Sequence, residues 1–523
     1  MGSVKQAGRA PQAVRLLDLQ LDRTAEAPPL YRQIRDGVEA EVLGGALGAG
    51  MRLPPERLMA RTLKVNRSTV MAAYQELAAS GVVEARPGKG TVVLKGEDAH
   101  NTVGDGVTDL SWLLALPAFG RGNLGPDPGL LRDLATLSAR PEIISLAAGA
   151  PGDDLLPSAA LLQSLEAGMS RLGPGVLGYA PVEGLPMLRE VLAERLGSRG
   201  MQVRSDEVMV LSGATQGLAL AAQALIEPGD TVAIEAPTYI GVLQTFAAAG
   251  ARLLPIPVDE HGMRVDILAS LMTRTHPRLI VVQPVLHNPT NTTMSMERRE
   301  KLLTLARRHG VPILEDDAYG ELWEDGSGPP PLKAQDGGGA VIYLSTASKT
   351  VAPGLRIGWL AAHPSVIARM SLAKQFADMH SNGLAQVALH GFLITGYDHH
   401  LARVRAAYTE RRTAVGRALR SVPGLTPTPG SPGGFYHWCS LPKGVTGRQF
   451  AASAARAGVG LVAGEAFYPP EGPGTAEGQS RVRLGCASHG PAMLEEAVAR
   501  LAPLVADAAA QARRPTTSPT PLV

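Results

Sequence analysis

The chain has 523 residues, 45% of them hydrophobic and 19% charged, with a net charge of +2. That length exceeds one ordinary core, so two or three domains are expected, and the composition is globular rather than disordered. Near-neutral charge gives no whole-chain case for nucleic acid. Cys439 and Cys486 lack disulfide-framework or metal spacing, and no run of about 18 apolar residues suggests a membrane span.

Residues 1–27 read as a loose arm; Lys5, Arg9 and Arg15 occur there without the apolar stretch of a signal peptide, so a cytoplasmic protein is expected. From 28 to 96 the pattern is compact. Leu30, Ile34, Val38 and Val42 make one face of a helix from Leu30 to Leu43. Pro54-Pro55 opens a second helix, Glu56 to Leu63, since a first-turn proline forfeits no helical hydrogen bond. Asn66 is a good N-cap for a third helix, which runs to Ala79 and is stopped by Gly81. Two helices joined by about three residues have helix-turn-helix geometry. The second offers Asn66, Arg67, Ser68 and Thr69 to base edges. Val82 to Glu84 and Thr91 to Leu94 then flank a basic turn, Arg86-Pro87-Gly88-Lys89-Gly90, that fits a β-wing.

Charge agrees locally: between Arg52 and Lys95 eight basic residues face three acids, the excess that phosphate contacts need. A helical hairpin with a solvated basic face would share that charge. Several stretches decide between them. Pro29–Ile34, Gly50–Arg57, Val65–Val70 and Arg86–Thr91 together resemble the GntR-type winged helix over about 70 residues. The resemblance implies DNA contacts by Arg57, Asn66, Arg67, Ser68 and Thr69, with Lys89 at the wing tip. Met71 stands where some family members place a second basic recognition residue.

Residues 97–140 are glycine-punctuated and read as a linker, with one short helix expected near Leu130 to Leu137. From 141 to 508 apolar β-type runs alternate with helical periodicity: Val208–Leu211, Thr231–Ile234, Leu279–Val282, Pro312–Leu314 and Val341–Leu344. That alternation predicts a largely parallel sheet covered by helices. Residues 509–523 are expected to be a disordered tail.

Three stretches in this second domain carry chemistry. Lys349 follows an apolar run amid Thr346 and Ser348, with Arg356 seven positions on. A lysine that condenses with an aldehyde cofactor needs such a strand-end position beside anion ligands. Asp316, directly after another apolar run, suits the pairing of a pyridine nitrogen, with Tyr319 and Asn288 able to hydrogen-bond a phenolic oxygen. Ser212–Gln216 places small residues at a helix start, where backbone N–H groups can meet a phosphate; Tyr239 could stack on a flat ring. Taken singly, each stretch has an ordinary reading as a surface lysine, a helix cap or a turn.

In this order, from Ile144 to Leu504, the stretches resemble fold-type I aminotransferases of class I/II, which implies pyridoxal 5'-phosphate as cofactor. Carried over by position, Lys349 is the aldimine lysine, Asp316 pairs the ring nitrogen, and Asn288 and Tyr319 bind the ring oxygen. Tyr239 stacks, while Gly213, Ala214, Thr346, Ser348 and Arg356 hold the phosphate. Tyr179 reaches the neighbouring subunit's phosphate in a homodimer, and Arg483 binds an amino-acid carboxylate. Asn291 departs from the glycine that many members carry there and could reshape its turn. His287 and Cys486 take no assigned role.

A winged helix, a linker and an aminotransferase-like domain form the layout of MocR-type regulators. The expectation is a transcription regulator that binds a DNA operator and senses an amino acid or amine by aldimine exchange at Lys349. The alternative is a working aminotransferase with an appended DNA-binding domain, since Lys349, Asp316, Tyr319, Asn288 and Arg483 are all present.

Overall fold

The computed structural model describes residues 19, 21–24, 27–43, 47, 51–79, 82–86, 90–94, 140, 142–337, 339–470, 472 and 474–513. It divides into two compact units, Met1–Arg121 and Gly122–Val523.

In the first unit, helices α1 (Leu30–Leu43), α2 (Glu56–Thr62) and α3 (Arg67–Ala79) precede an antiparallel hairpin of β1 (Val83–Arg86) and β2 (Gly90–Val93). The α1 periodicity does what its spacing predicts: Ile34, Val38 and Val42 are buried beside Met59, Val70, Tyr74, Leu77 and Val93. Met51 to Leu53 runs along β2, with Leu53 N–H donating to Thr91 O and Val93 N–H to Met51 O, so the hairpin is tied to the start of α2. The Tyr74 hydroxyl donates to Pro54 O at 2.8 Å, locking α3 against the same segment. The wing tip with Lys89, the Gly81 stop and the helix expected near Leu130 lie outside the described residues.

In the second unit, β3 (Ile144–Ser145) precedes a sheet of eight strands: β4 (Val208–Leu211), β5 (Thr231–Ala236), β6 (Arg252–Asp259), β7 (Gly262–Met263), β8 (Leu279–Val282), β9 (Ile313–Asp316), β10 (Val341–Thr346) and β11 (Gly358–Ala361). Their order is β4-β11-β10-β9-β8-β5-β6-β7. Strands β10, β9, β8, β5 and β6 are mutually parallel; β11 runs against both β10 and β4, so β4 shares the common direction. The largely parallel sheet expected from the sequence is found, with β11 and β7 as its antiparallel strands. Strands β4, β8, β9, β10 and β11 are wholly buried, as expected when helices cover both faces of a largely parallel sheet.

A smaller antiparallel sheet follows: β12 (Thr426–Pro427), β13 (Tyr436–Ser440), β15 (Val462–Ala463) and β16 (Arg481–Gly485), in the order β12-β13-β16-β15. Strand β14 (Val459–Gly460) pairs with β3. The last helix, Pro491–Arg513, passes the tail boundary expected at 509. Residues Ala508 to Ala510 and Ala512 are the strongest helix formers and continue the helix at little cost. Among the described residues no helix is long and apolar enough to cross a membrane.

Candidate functional site

Parallel strands deliver their following loops to one edge, and open α/β sheets bind ligands there, outside the carboxyl ends. Asp316 is the last residue of β9, Lys349 follows β10, Ser212–Gly213 follow β4, Tyr239 follows β5, and Gln283 to Asn288 follow β8. Strand β16 brings Arg483 to the same place from the smaller sheet. Asp316, Lys349, Tyr239, Gln283, Asn288 and Arg483 line one cavity of about 370 Å³ together with Gly149, Ala214, Thr215, Thr346, Ser348, Arg356, Tyr319 and Tyr436; Ser212 and Gly213 are not among its lining residues, and Gly213 packs against Arg356.

At its floor, Asp316 Oδ2 accepts a hydrogen bond from Gln283 Nε2 at 2.8 Å. Asp316 Oδ1 is buried with no partner. Burial pushes this carboxyl up to about 6, against the Gln283 bond, which favours the ionised form. An orphaned carboxylate oxygen inside a cavity is costly unless a ligand donor meets it. Lys349 Nζ donates to Gly149 O. Burial holds this amine below its ordinary range, with Tyr436 and Asp316 opposing the shift. A neutral amine is the nucleophilic form.

The opposite end of the cavity suits a phosphate. Gly213, at φ +93°, caps the helix Ala214–Leu225, and a Cβ there would lie 2.5 Å from Arg356 Nη2. Arg356 donates to Ser212 O at 3.3 Å. A guanidinium beside a helix N-terminus sets positive charge against positive dipole, an arrangement that an anion between them reconciles. Thr346 Oγ1 and Ser348 Oγ are buried 2.9 Å apart on the same rim. The donor set therefore fits pyridoxal phosphate at both ends: an acceptor for a ring N–H and a cationic cup for the phosphate.

Between the ends, Asn288 Nδ2 lies 3.4 Å from the Tyr319 hydroxyl, and Asn288 Oδ1 accepts from Arg483 Nη1 at 2.8 Å. Arg483 Nη2 donates to Ala147 O at 2.8 Å, while its Nε is buried without a partner. Among the described residues no carboxylate pairs with Arg483. Tyr239 lines the wall, its ring folded over Gly241, where a Cβ would strike it. Asn291 takes φ +58°, the left-handed conformation in which glycine is at ease, and asparagine tolerates it. Its Nδ2 donates to Ser431 O and Gly433 O, so the departure from glycine ties the turn down.

Tyr179 does not line this cavity. It is 85% exposed and meets His380 edge-on. Sequence reasoning missed Gln283, Thr215 and Tyr436. The first two are ordinary polar residues, but Tyr436 had a signal in Gly433-Gly434-Phe435-Tyr436, a glycine pair just before a strand.

In the first unit, Arg57, Asn66, Arg67 and Ser68 are exposed around the start of α3 and Thr69 is half-buried. Arg67 Nε and Nη2 meet Glu56 Oε2 at 3.0 and 2.9 Å, so α2 orients the Arg67 side chain.

Comparison with known proteins agrees with both units. Residues 141–501 match the family described as aminotransferase class I and II, and residues 30–93 match bacterial regulatory proteins of the gntR family. The HTH-type transcriptional regulator TauR of Rhodobacter capsulatus is 34% identical over 481 residues, 90% of this chain and 96% of that protein. The probable rhizopine catabolism regulatory protein MocR of Rhizobium meliloti is 35% identical over 402 residues, 75% of this chain and 78% of that one. Among solved structures, LysN, the alpha-aminoadipate aminotransferase of Thermus thermophilus, was determined with N-(5'-phosphopyridoxyl)-L-leucine. It is 32% identical, with a TM-score of 0.70, over 77% of this chain and all of its own.

Proposed function

We propose, from the premise that the chain belongs to the aminotransferase class I and II family and joins it to a gntR-family head in the manner of MocR-type regulators, that it is a transcription regulator governed by an amino acid or related amine. One observation carries this reading. A helix-turn-helix with Arg57 exposed on α2 and Asn66, Arg67 and Ser68 exposed at the start of α3 shares a chain with a cavity holding a buried amine, an orphaned carboxylate oxygen and an unpaired guanidinium N–H.

Pyridoxal phosphate, when bound, supplies an aldehyde that condenses with amines and a ring that withdraws electrons from them. Asp316 would accept the ring N–H at its free Oδ1. Asn288 and Tyr319 would bind the ring oxygen, and Tyr239 would cover a face. Gly213, Ala214, Thr346, Ser348 and Arg356 would hold the phosphate. Lys349, whose amine burial holds below its ordinary range, would hold the aldehyde and yield it to an incoming amine. Arg483 would take that amine's carboxylate through its free Nε. Turnover needs Lys349 to move a proton afterwards; sensing needs only that the amine stay bound.

The reading includes a homodimer through the second unit. Tyr179 is 85% and Phe376 83% exposed, apolar area that a second copy would remove from water, and Tyr179 is the candidate residue to cross. A protein that reads chromosomal DNA acts in the cytoplasm of a bacterium.

The test uses the cofactor-loaded protein and an operator fragment. A responsive amino acid should shift the visible absorbance and change operator affinity, while transamination stays orders of magnitude below the roughly 10 per second of an ordinary enzyme. Lys349→Ala should lose both responses. Turnover at the ordinary rate, with operator binding indifferent to every amine that shifts the absorbance, would establish the enzyme instead.

A further inference from the structure

Resting on that reading of the cavity, we infer that Tyr436 is the positioning residue by which the site distinguishes amino acids from simple amines: its ring face carries Arg483, and its hydroxyl joins Tyr319 to the Lys349 end of the cavity.

The placement begins with two glycines. Gly433 (φ +146°) and Gly434 (φ +64°) adopt backbone that side-chain-bearing residues avoid, and a Cβ on Gly434 would lie 2.6 Å from Asn291 Oδ1. This turn delivers Tyr436 as the first residue of β13. In register, Trp438 stands opposite Arg483 on β16, and Tyr436 stands opposite Gly485. Tyr436 and Arg483 are thus diagonal neighbours on one face of the sheet, within reach of long side chains. Opposite a glycine, the Tyr436 ring has room to lean across. The Arg483 guanidinium carbon lies 4.3 Å from the Tyr436 ring centre and 5.0 Å from that of Phe467.

This sandwich solves a specific problem. Arg483 is buried, only 5% exposed, and its hydrogen bonds go to two neutral oxygens, Asn288 Oδ1 and Ala147 O. A buried cation without a counter-ion is expensive. Two aromatic faces offset part of that cost through their negative quadrupoles while leaving the in-plane Nε–H unengaged. The cation is retained without being neutralised. A ligand carboxylate completes it, and an amine without a carboxylate leaves it uncompensated.

The hydroxyl does different work. Tyr436 Oη is 3.3 Å from the Tyr319 hydroxyl. It also lies against Gly149, where an added Cβ would come closer than 3.0 Å to it. Gly149 is the residue whose carbonyl accepts from Lys349 Nζ. Gly149 has ordinary backbone angles, so its lack of a side chain is explained by this close approach. One tyrosine therefore contacts the group that reads the carboxylate and the neighbours of the group that reads the amine.

The experiment compares L-alanine with ethylamine, the same amine without the carboxylate, by visible titration of the cofactor-loaded protein. The wild type should bind L-alanine more tightly by a clear ratio. Tyr436→Leu, which removes ring and hydroxyl, should reduce that ratio about tenfold, mainly by weakening L-alanine. Tyr436→Phe should keep most of the ratio but move the pH midpoint of the Lys349-linked band downwards, since an oxygen near that nitrogen favours its protonated form. A merely structural role would lower thermal stability and leave both the ratio and the midpoint in place. An unchanged ratio in folded Tyr436→Leu, or an unchanged midpoint in Tyr436→Phe, overturns the inference while the sensor reading survives. A wild type that responds to neither compound, nor to any other amine, overturns both.

Discussion

Replacing Asp316 by asparagine should stabilise the cofactor-free protein while weakening its hold on the cofactor. The carboxyl titrates near 6 in the fold, chiefly because burial penalises the charged form, against 3.8 when free. Between those values the folded chain holds a proton that the unfolded chain has released. Folding at neutral pH is therefore penalised by about two pKa units, or ~3 kcal/mol at about 1.4 kcal/mol per unit. The sign follows. Stability of the cofactor-free wild type should rise as pH falls through 6 and level off below about 4, and Asp316→Asn should lack this contribution. Asparagine can still accept from Gln283, but its amide N–H then occupies the position of the orphaned Oδ1. An unsatisfied buried donor costs about 1–3 kcal/mol, so the net gain at pH 7.5 should be about 0–2 kcal/mol. The assay is urea unfolding of the second unit, wild type against variant, at pH 7.5 and pH 5. The variant should lead at pH 7.5 and lose most of its lead at pH 5. A variant less stable than wild type at pH 7.5, or a difference independent of pH, would refute the reasoning.

Two further outcomes follow from the geometry. Gly213→Ala forces a side chain into a φ of +93° and against Arg356 Nη2, so cofactor affinity should fall at least tenfold in a fluorescence titration, with the DNA response of the head intact. Arg67→Ala should weaken operator binding by about 1–3 kcal/mol if Arg67 reads a base. Electrophoretic mobility shifts at several salt concentrations separate this from loss of a phosphate contact, which lowers the salt slope by about one.

The cofactor residues were legible because each stands where a sequence pattern changes. Asp316 and Lys349 stand shortly after the apolar residues of β9 and β10, and Asn288 precedes a proline. Arg483 alternates with buried Val482 and Leu484. Gln283 was illegible: its side chain donates to Asp316 and accepts from Asn288 N–H, contacts that no local pattern encodes. Tyr436 is a core aromatic, 3% exposed; only the register of β13 with β16 reveals what its face and hydroxyl touch. Strand β11, Gly-Trp-Leu-Ala, was hidden because it lacks the β-branched residues that marked β4 and β8 at the same length, and Arg356, two residues before it, takes φ +50°. In the head, charge and capping located α3, but the Arg67–Glu56 pair could not be read from sequence, because eleven residues separate partners that meet only when α2 and α3 cross.

The described apolar core of the first unit, from Ile34 to Val93, draws on no residue beyond Val93. A domain of this size buries a smaller fraction of its surface than a large one and has a thinner margin against heat. Calorimetry is expected to show two transitions, one for each compact unit. Ligand linkage lifts only the transition of the unit that binds, so saturating cofactor protects the larger unit and leaves the reader's melting point where it was. Warming can then silence DNA recognition in a molecule whose sensor is still folded and loaded.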